Sequence, residues 1–180
     1  AAEALSLSLG ALITAGAAWC YRGVLLPMRT RREDRLVSPA RRAGLLVLLA
    51  TLLMSLVPLK LYSSISIGGC LAVLGILAAA WQGGPSAGAV VGVTMGGAID
   101  LVSGNSAVYA MALGLSGLTA GLVRGKSRLV FALVYVLADG AAVLWSWQED
   151  RPLAILYETF LASVAFLFLP QRPLRRLGVW

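Results

Sequence analysis

Apolar positions dominate this chain in long runs, and polar positions punctuate them. Taking about 20 residues per bilayer crossing, seven apolar runs predict helical spans over residues 3–25, 43–59, 65–81, 85–102, 107–123, 129–147 and 152–169. Several are short, so they are expected to stand steeply or to thin the bilayer locally. Pro85 and Pro152 fall at first-turn positions, where proline is tolerated, and Pro170 marks the end of the last run. Trp81, Trp145, Trp147 and Tyr157 lie near run ends, as interfacial aromatics do. Every loop but the first is short, which predicts antiparallel neighbours. The expected fold is an all-α integral membrane protein, a single bundle over residues 1–180.

Within the fourth run the polar pattern gives way to a row of glycines. Gly84, Gly88, Gly92 and Gly96, followed by Asp100, recur every fourth residue and share one helix side. The fifth run carries Gly114, Gly117 and Gly121. Stripes of small residues let membrane helices approach backbone to backbone. The two runs therefore read as a tightly packed antiparallel pair, although the row could instead face a second copy of the chain. Val91, about 100° around the helix from Gly92, is expected to lie off the packing face.

Composition agrees with the pattern. Of the 180 residues, 59% are hydrophobic and 13% charged, with mean hydropathy +0.84, against roughly 45–50% apolar in soluble domains. The two cysteines, Cys20 and Cys70, have no metal-ligand spacing and read as small packing residues. The chain begins at Ala1 without an initiator Met or a signal-peptide pattern, which suggests a fragment.

The net charge of +7 is distributed as loop clusters, which argues against nucleic acid as a partner. Arg29, Arg31, Arg32, Arg35, Arg41 and Arg42 occupy the first loop, Arg124, Lys126 and Arg128 a later turn, and Arg172, Arg175 and Arg176 the tail. The alternate connections are poor in cations. Threading seven spans puts all three clusters on one side, the cytoplasm, with the N-terminus outside and the C-terminus inside. The first cluster could be only a topology determinant on anionic lipid, or a specific protein contact.

Candidate chemistry is sparse. Histidine is absent, no nucleophile triad is visible, and no carboxylate cluster has metal spacing. Catalytic, cofactor and metal sites are therefore expected to be none. Gly83-Gly84-Pro85-Ser86 could attract an anion at a helix start, yet it lacks the lysine and spacing of a phosphate loop and reads as a tight turn. Asp100, Asp139 and Glu158 lie inside runs, where no Lys or Arg accompanies them. Asp139 falls about 12 Å and Glu158 about 9 Å from the outer run ends, so their depths match. They are expected to be protonated, hydrogen-bonded to Ser, Thr or Tyr as polar glue between helices, or to line a proton or substrate site.

Three ordered blocks carry a family resemblance. They are Gly83-Gly84-Pro85-Ser86-Ala87-Gly88 through Gly96; Leu115-Ser116-Gly117-Leu118 with Gly121-Leu122 and the basic turn Arg124-Gly125-Lys126; and Leu156-Tyr157-Glu158 leading to Phe166-Leu167-Phe168-Leu169-Pro170. Together they resemble the membrane region of the stage II sporulation protein E family, from about Gly83 to Gly178. Asp100 and Asp139 lie outside what matches. The resemblance implies a membrane region of about ten spans, both ends cytoplasmic, followed by a self-association and division-protein-binding region. A manganese-dependent serine phosphatase domain of the PP2C type comes last, acting at the asymmetric septum of endospore-forming bacteria. Seven of those spans would leave the N-terminus outside, the orientation the loop charges give. For this segment it implies anchoring in the lipid bilayer of the cell membrane, septal localisation and homo-oligomerisation, with no catalysis and no cofactor. The alternative reading is a small-molecule or proton-coupled transporter, or a substrate-binding membrane component, lined by the three acids.

Overall fold

In a computed structural model of the chain, residues 16, 18, 21, 39–58, 60–62, 65–104, 107–145 and 152–169 are described. They fall in two compact units, residues 1–49 and 50–178. The first predicted span, most of the first basic loop, Cys20 and the tail arginines lie outside the described residues. Six helices are present among those described: α1 (Pro39–Leu56), α2 (Ile67–Gly83), α3 (Pro85–Ser103), α4 (Val108–Leu122), α5 (Arg128–Trp145) and α6 (Pro152–Phe168). Arg41 and Arg42 thus belong to the backbone of α1 rather than to a loop.

The second predicted boundary differs from expectation. Where the pattern suggests a plain connection, Lys60–Tyr62 (β1) and Ile65–Ser66 (β2) pair as a short antiparallel hairpin. Two strands of this length are not stable alone; their persistence depends on the helices next to them. Among the described residues, only α3 and α5 are long and apolar enough to cross a membrane, while α2, α4 and the apolar parts of α1 and α6 are shorter. At 1.5 Å per residue, the 15 residues of α4 rise about 22 Å.

Local chemistry sets the helix ends. Ser66 caps α2, its hydroxyl accepting from Gly69 N–H at 2.9 Å. Gly84, at φ 82°, accomplishes two tasks: its N–H closes the last turn of α2 on Ala80 O, and it hands the chain to Pro85 at the first position of α3. Gly84 therefore lies in the turn, not on the helical glycine row. Gly104, in the left-handed region at φ 68°, ends α3 in the same way on Asp100 O.

Helices α2 to α6 of the second unit close on one another in cyclic order, with α2 also touching α4. Each α2–α3, α3–α4, α4–α5 and α5–α6 neighbour pair follows from a short connection; α2 against α6 closes the ring. The apolar core includes Val73, Ile76, Leu77, Leu113, Phe131, Val143 and Phe166. Outward, the same helices present Leu101, Leu122, Leu129, Leu133, Leu137, Leu144 and Phe160, with Leu101 77% exposed. Inward they bury Asp100, Ser116, Asp139, Glu158, Thr159 and Ser163. A protein surface this apolar around buried carboxylates is the reverse of an ordinary soluble domain.

Candidate functional site

The glycine row sets how closely α3 and α4 approach. A methyl group built on Gly92 would stand 2.8 Å from Gly114 Cα; on Gly117, 2.8 Å from the Gly88 carbonyl carbon; on Gly121, 2.5 Å from Pro85 Cα. At Gly88 and Gly96 the added carbon would likewise meet backbone of Gly117 and of Tyr109-Ala110. Gly114 differs, because the carbon it would carry meets the Val93 side chain. The row faces a helix of the same chain. Val91 departs from expectation: it is 2% exposed, because α3 packs on α2 as well as on α4. The open sides of α3 are marked by Val90, Val93 and Gly97 instead.

Asp100 does more than fill a polar slot on that row. Helix α4 starts at Ala107, at φ 46°, which has no side-chain oxygen to cap the free N–H groups of its first turn. The Asp100 carboxylate reaches across from α3 and takes that role, accepting from Tyr109 N at 3.1 Å and Ala110 N at 2.8 Å. A negative charge at a helix N-terminus also matches the helix dipole. The sequence signal was the absence of Ser, Thr, Asp or Asn at position 107.

Glu158 of α6 performs the equivalent service for α2. Its Oε1 accepts from Ser66 N and Ser66 Oγ, both at 2.8 Å. A methyl on Gly69 would overlap the Glu158 carboxylate, so that glycine makes room for the acid. The capping serine is thereby tied to a residue 92 positions away. Cys70, the next residue, is half-buried.

Asp139, fully buried, joins three helices. Thr159 of α6 donates to Oδ2 at 2.7 Å, and Ser116 of α4 lies 3.4 Å from Oδ1. The Ser116 hydroxyl also donates to Ala112 O within its own helix. Asp139 and Glu158 are brought near each other through the neighbouring Thr159, whereas Asp100 stands apart at the start of α4.

The turn between α4 and α5 carries the opposite charge to helix C-termini. Arg124 Nη1 donates to Gln82 O at the end of α2, at 3.2 Å, and Arg128 Nη1 donates to Leu169 O past α6, at 2.9 Å. Cations belong at helix C-termini. The Arg128 guanidinium also lies 5.7 Å from the Trp81 ring centre and 5.6 Å from that of Phe166, over a cluster completed by Phe131. Trp81 is therefore an aromatic core partner as much as an interfacial residue. Lys126 and Ser127 are exposed; the Ser127 hydroxyl faces Val130 N at the start of α5.

Among the described residues no group of three His, Cys, Asp or Glu could hold a metal. The three buried acids serve helix ends and a three-helix junction.

The SpoIIE N-terminal domain family model matches residues 28–178, most of the chain. The chain belongs to the SpoIIE N-terminal domain family. That domain is the family's non-catalytic region. For the SpoIIE N-terminal domain in this chain, comparisons with curated proteins and with solved structures find no match. All the helices and clamps from α1 to α6 described above fall within the matched stretch.

Proposed function

We propose that this chain is the membrane anchor and self-association region of a sporulation phosphatase, holding cytoplasmic modules at the septal membrane. The observation that carries the reading is the inverted distribution of polarity: large apolar side chains outward, carboxylates and hydroxyls inward. Such a surface suits lipid, where each buried polar group must find an internal partner. The chain threads the bilayer seven times, with the N-terminus outside and the C-terminus in the cytoplasm. All three basic clusters, from Arg29 to Arg42, Arg124 to Arg128 and Arg172 to Arg176, then face the cytoplasm. Helices as short as α4 suit a locally thinned bilayer, with Asp100 satisfying the N–H groups at the end that falls short.

Self-association uses a face other than the glycine row, since α4 covers that row. Cell-division proteins at the septum are the proposed partners, with a manganese-dependent phosphatase domain following the anchor. The transporter reading is less well supported, because Asp100, Asp139 and Glu158 each hold a structural hydrogen bond.

Two measurements test the proposal. Membranes containing the chain should retain it through an alkaline carbonate wash; release into the supernatant would reject the anchor. Two differently tagged copies should co-purify in mild detergent; recovery of one tag alone would remove self-association.

A further inference from the structure

The α5–α6 interface is built in layers. Asp139 meets Thr159 at one level, through the 2.7 Å hydrogen bond. Two turns further along, Phe131 meets Phe166, with ring centres 5.8 Å apart. The helices run antiparallel, so the layer between is fixed: Tyr135, one turn from Asp139, with Ser163, one turn from Thr159. Both are buried, Tyr135 at 0% and Ser163 at 4% exposure. Neither the Tyr135 hydroxyl nor Ser163 Oγ has a hydrogen-bond partner among the described residues. Asp139, one turn from Tyr135, has Ser116 of α4 3.4 Å from its Oδ1.

Ser116 sharpens the point. A hydroxyl has one hydrogen to give. Ser116 lies within reach of two acceptors, Ala112 O and Asp139 Oδ1. The junction thus contains two buried hydroxyls without a partner among the described residues, in an interior where an unmade hydrogen bond is costly. A water molecule donates twice and accepts twice, and buried waters hold about three hydrogen bonds each. We propose that the Tyr135–Ser163 layer is an internal water-binding site, whose water bridges these two hydroxyls and connects them to the Ser116–Asp139 pair. The interior is then dry at Phe131 and Phe166 and wet one turn away.

Hydroxyl-radical footprinting of the full chain in lipid nanodiscs tests this, since radicals form where water is held. After normalisation to the unfolded chain, Tyr135 should be oxidised several-fold more than Phe131, although both are 0% exposed. Labelling of Tyr135 no greater than that of Phe131 would overturn the site. Ser163→Ala removes one ligand and should lower Tyr135 labelling; unchanged labelling would overturn the shared water. As a second measurement, Tyr135→Phe should lower the thermal midpoint if the hydroxyl holds water. A raised midpoint would mean the hydroxyl was dry and unsatisfied, contradicting the proposal.

Discussion

Replacing Gly92 by alanine adds one carbon at a point where α3 and α4 meet backbone to backbone. That carbon would stand 2.8 Å from Gly114 Cα, and the other atoms it meets are backbone of Leu113. Carbon atoms in comfortable contact are about 3.5–4.0 Å apart. No side chain can swing aside, so the helices must separate by about 1 Å. A gap of that size forfeits a quarter to a half of each atom pair's attraction of about 0.1–0.2 kcal/mol. For on the order of 50 atom pairs along the row, the loss is about 2–4 kcal/mol, in the range of overpacked cores. Alanine's better helix propensity returns at most about 1 kcal/mol. Gly97→Ala is the matched control, because an added carbon there meets nothing within 4 Å; it should be neutral or slightly stabilising. Reversible unfolding of the full chain in mixed detergent micelles measures both. Equal stability of the Gly92 and Gly97 variants would refute the claim that the row sets the α3–α4 approach.

Other outcomes follow from the helix-end clamps. Asp100→Ala should cost about 1–3 kcal/mol by stranding the Tyr109 and Ala110 N–H groups, with Asp100→Asn milder, read from the same unfolding curves. Glu158→Gln should keep most stability because its carbonyl oxygen can still accept from Ser66, whereas Glu158→Ala should lose about 1–3 kcal/mol; equal losses would deny the capping role. Arg128→Lys should behave like Arg128→Ala, shifting Trp81 fluorescence and losing about 1–2 kcal/mol, because an ammonium does not stack as a guanidinium does.

The helical class and the small-residue row were legible because they depend on local spacing: every fourth residue shares a side whatever lies beyond it. The function of the acids was not. Glu158 and Ser66 are 92 positions apart, and no periodicity links them. Asp100 reads as one member of a row, while its geometry is that of a cap for the next helix. Val91 shows the limit of a one-face argument: a helix packed on two neighbours buries residues that a single contact would leave open. The hairpin at 60–66 escaped for a related reason. Its strands are too short for an alternating pattern, and the Ser66 cap ties them to α6. Arg128 reads as one loop cation among several; only the approach of Trp81 and Phe166 distinguishes it.

The central claim is a lipid-embedded anchor with its basic turns in the cytoplasm. In a cysteine-free background carrying Cys20→Ala and Cys70→Ala, single cysteines at Asn105 and Ser127 test it. A membrane-impermeant maleimide added to intact cells should label Asn105→Cys and leave Ser127→Cys unlabelled until the cells are opened. Labelling of Ser127→Cys from outside, or of neither site from outside, would contradict the account.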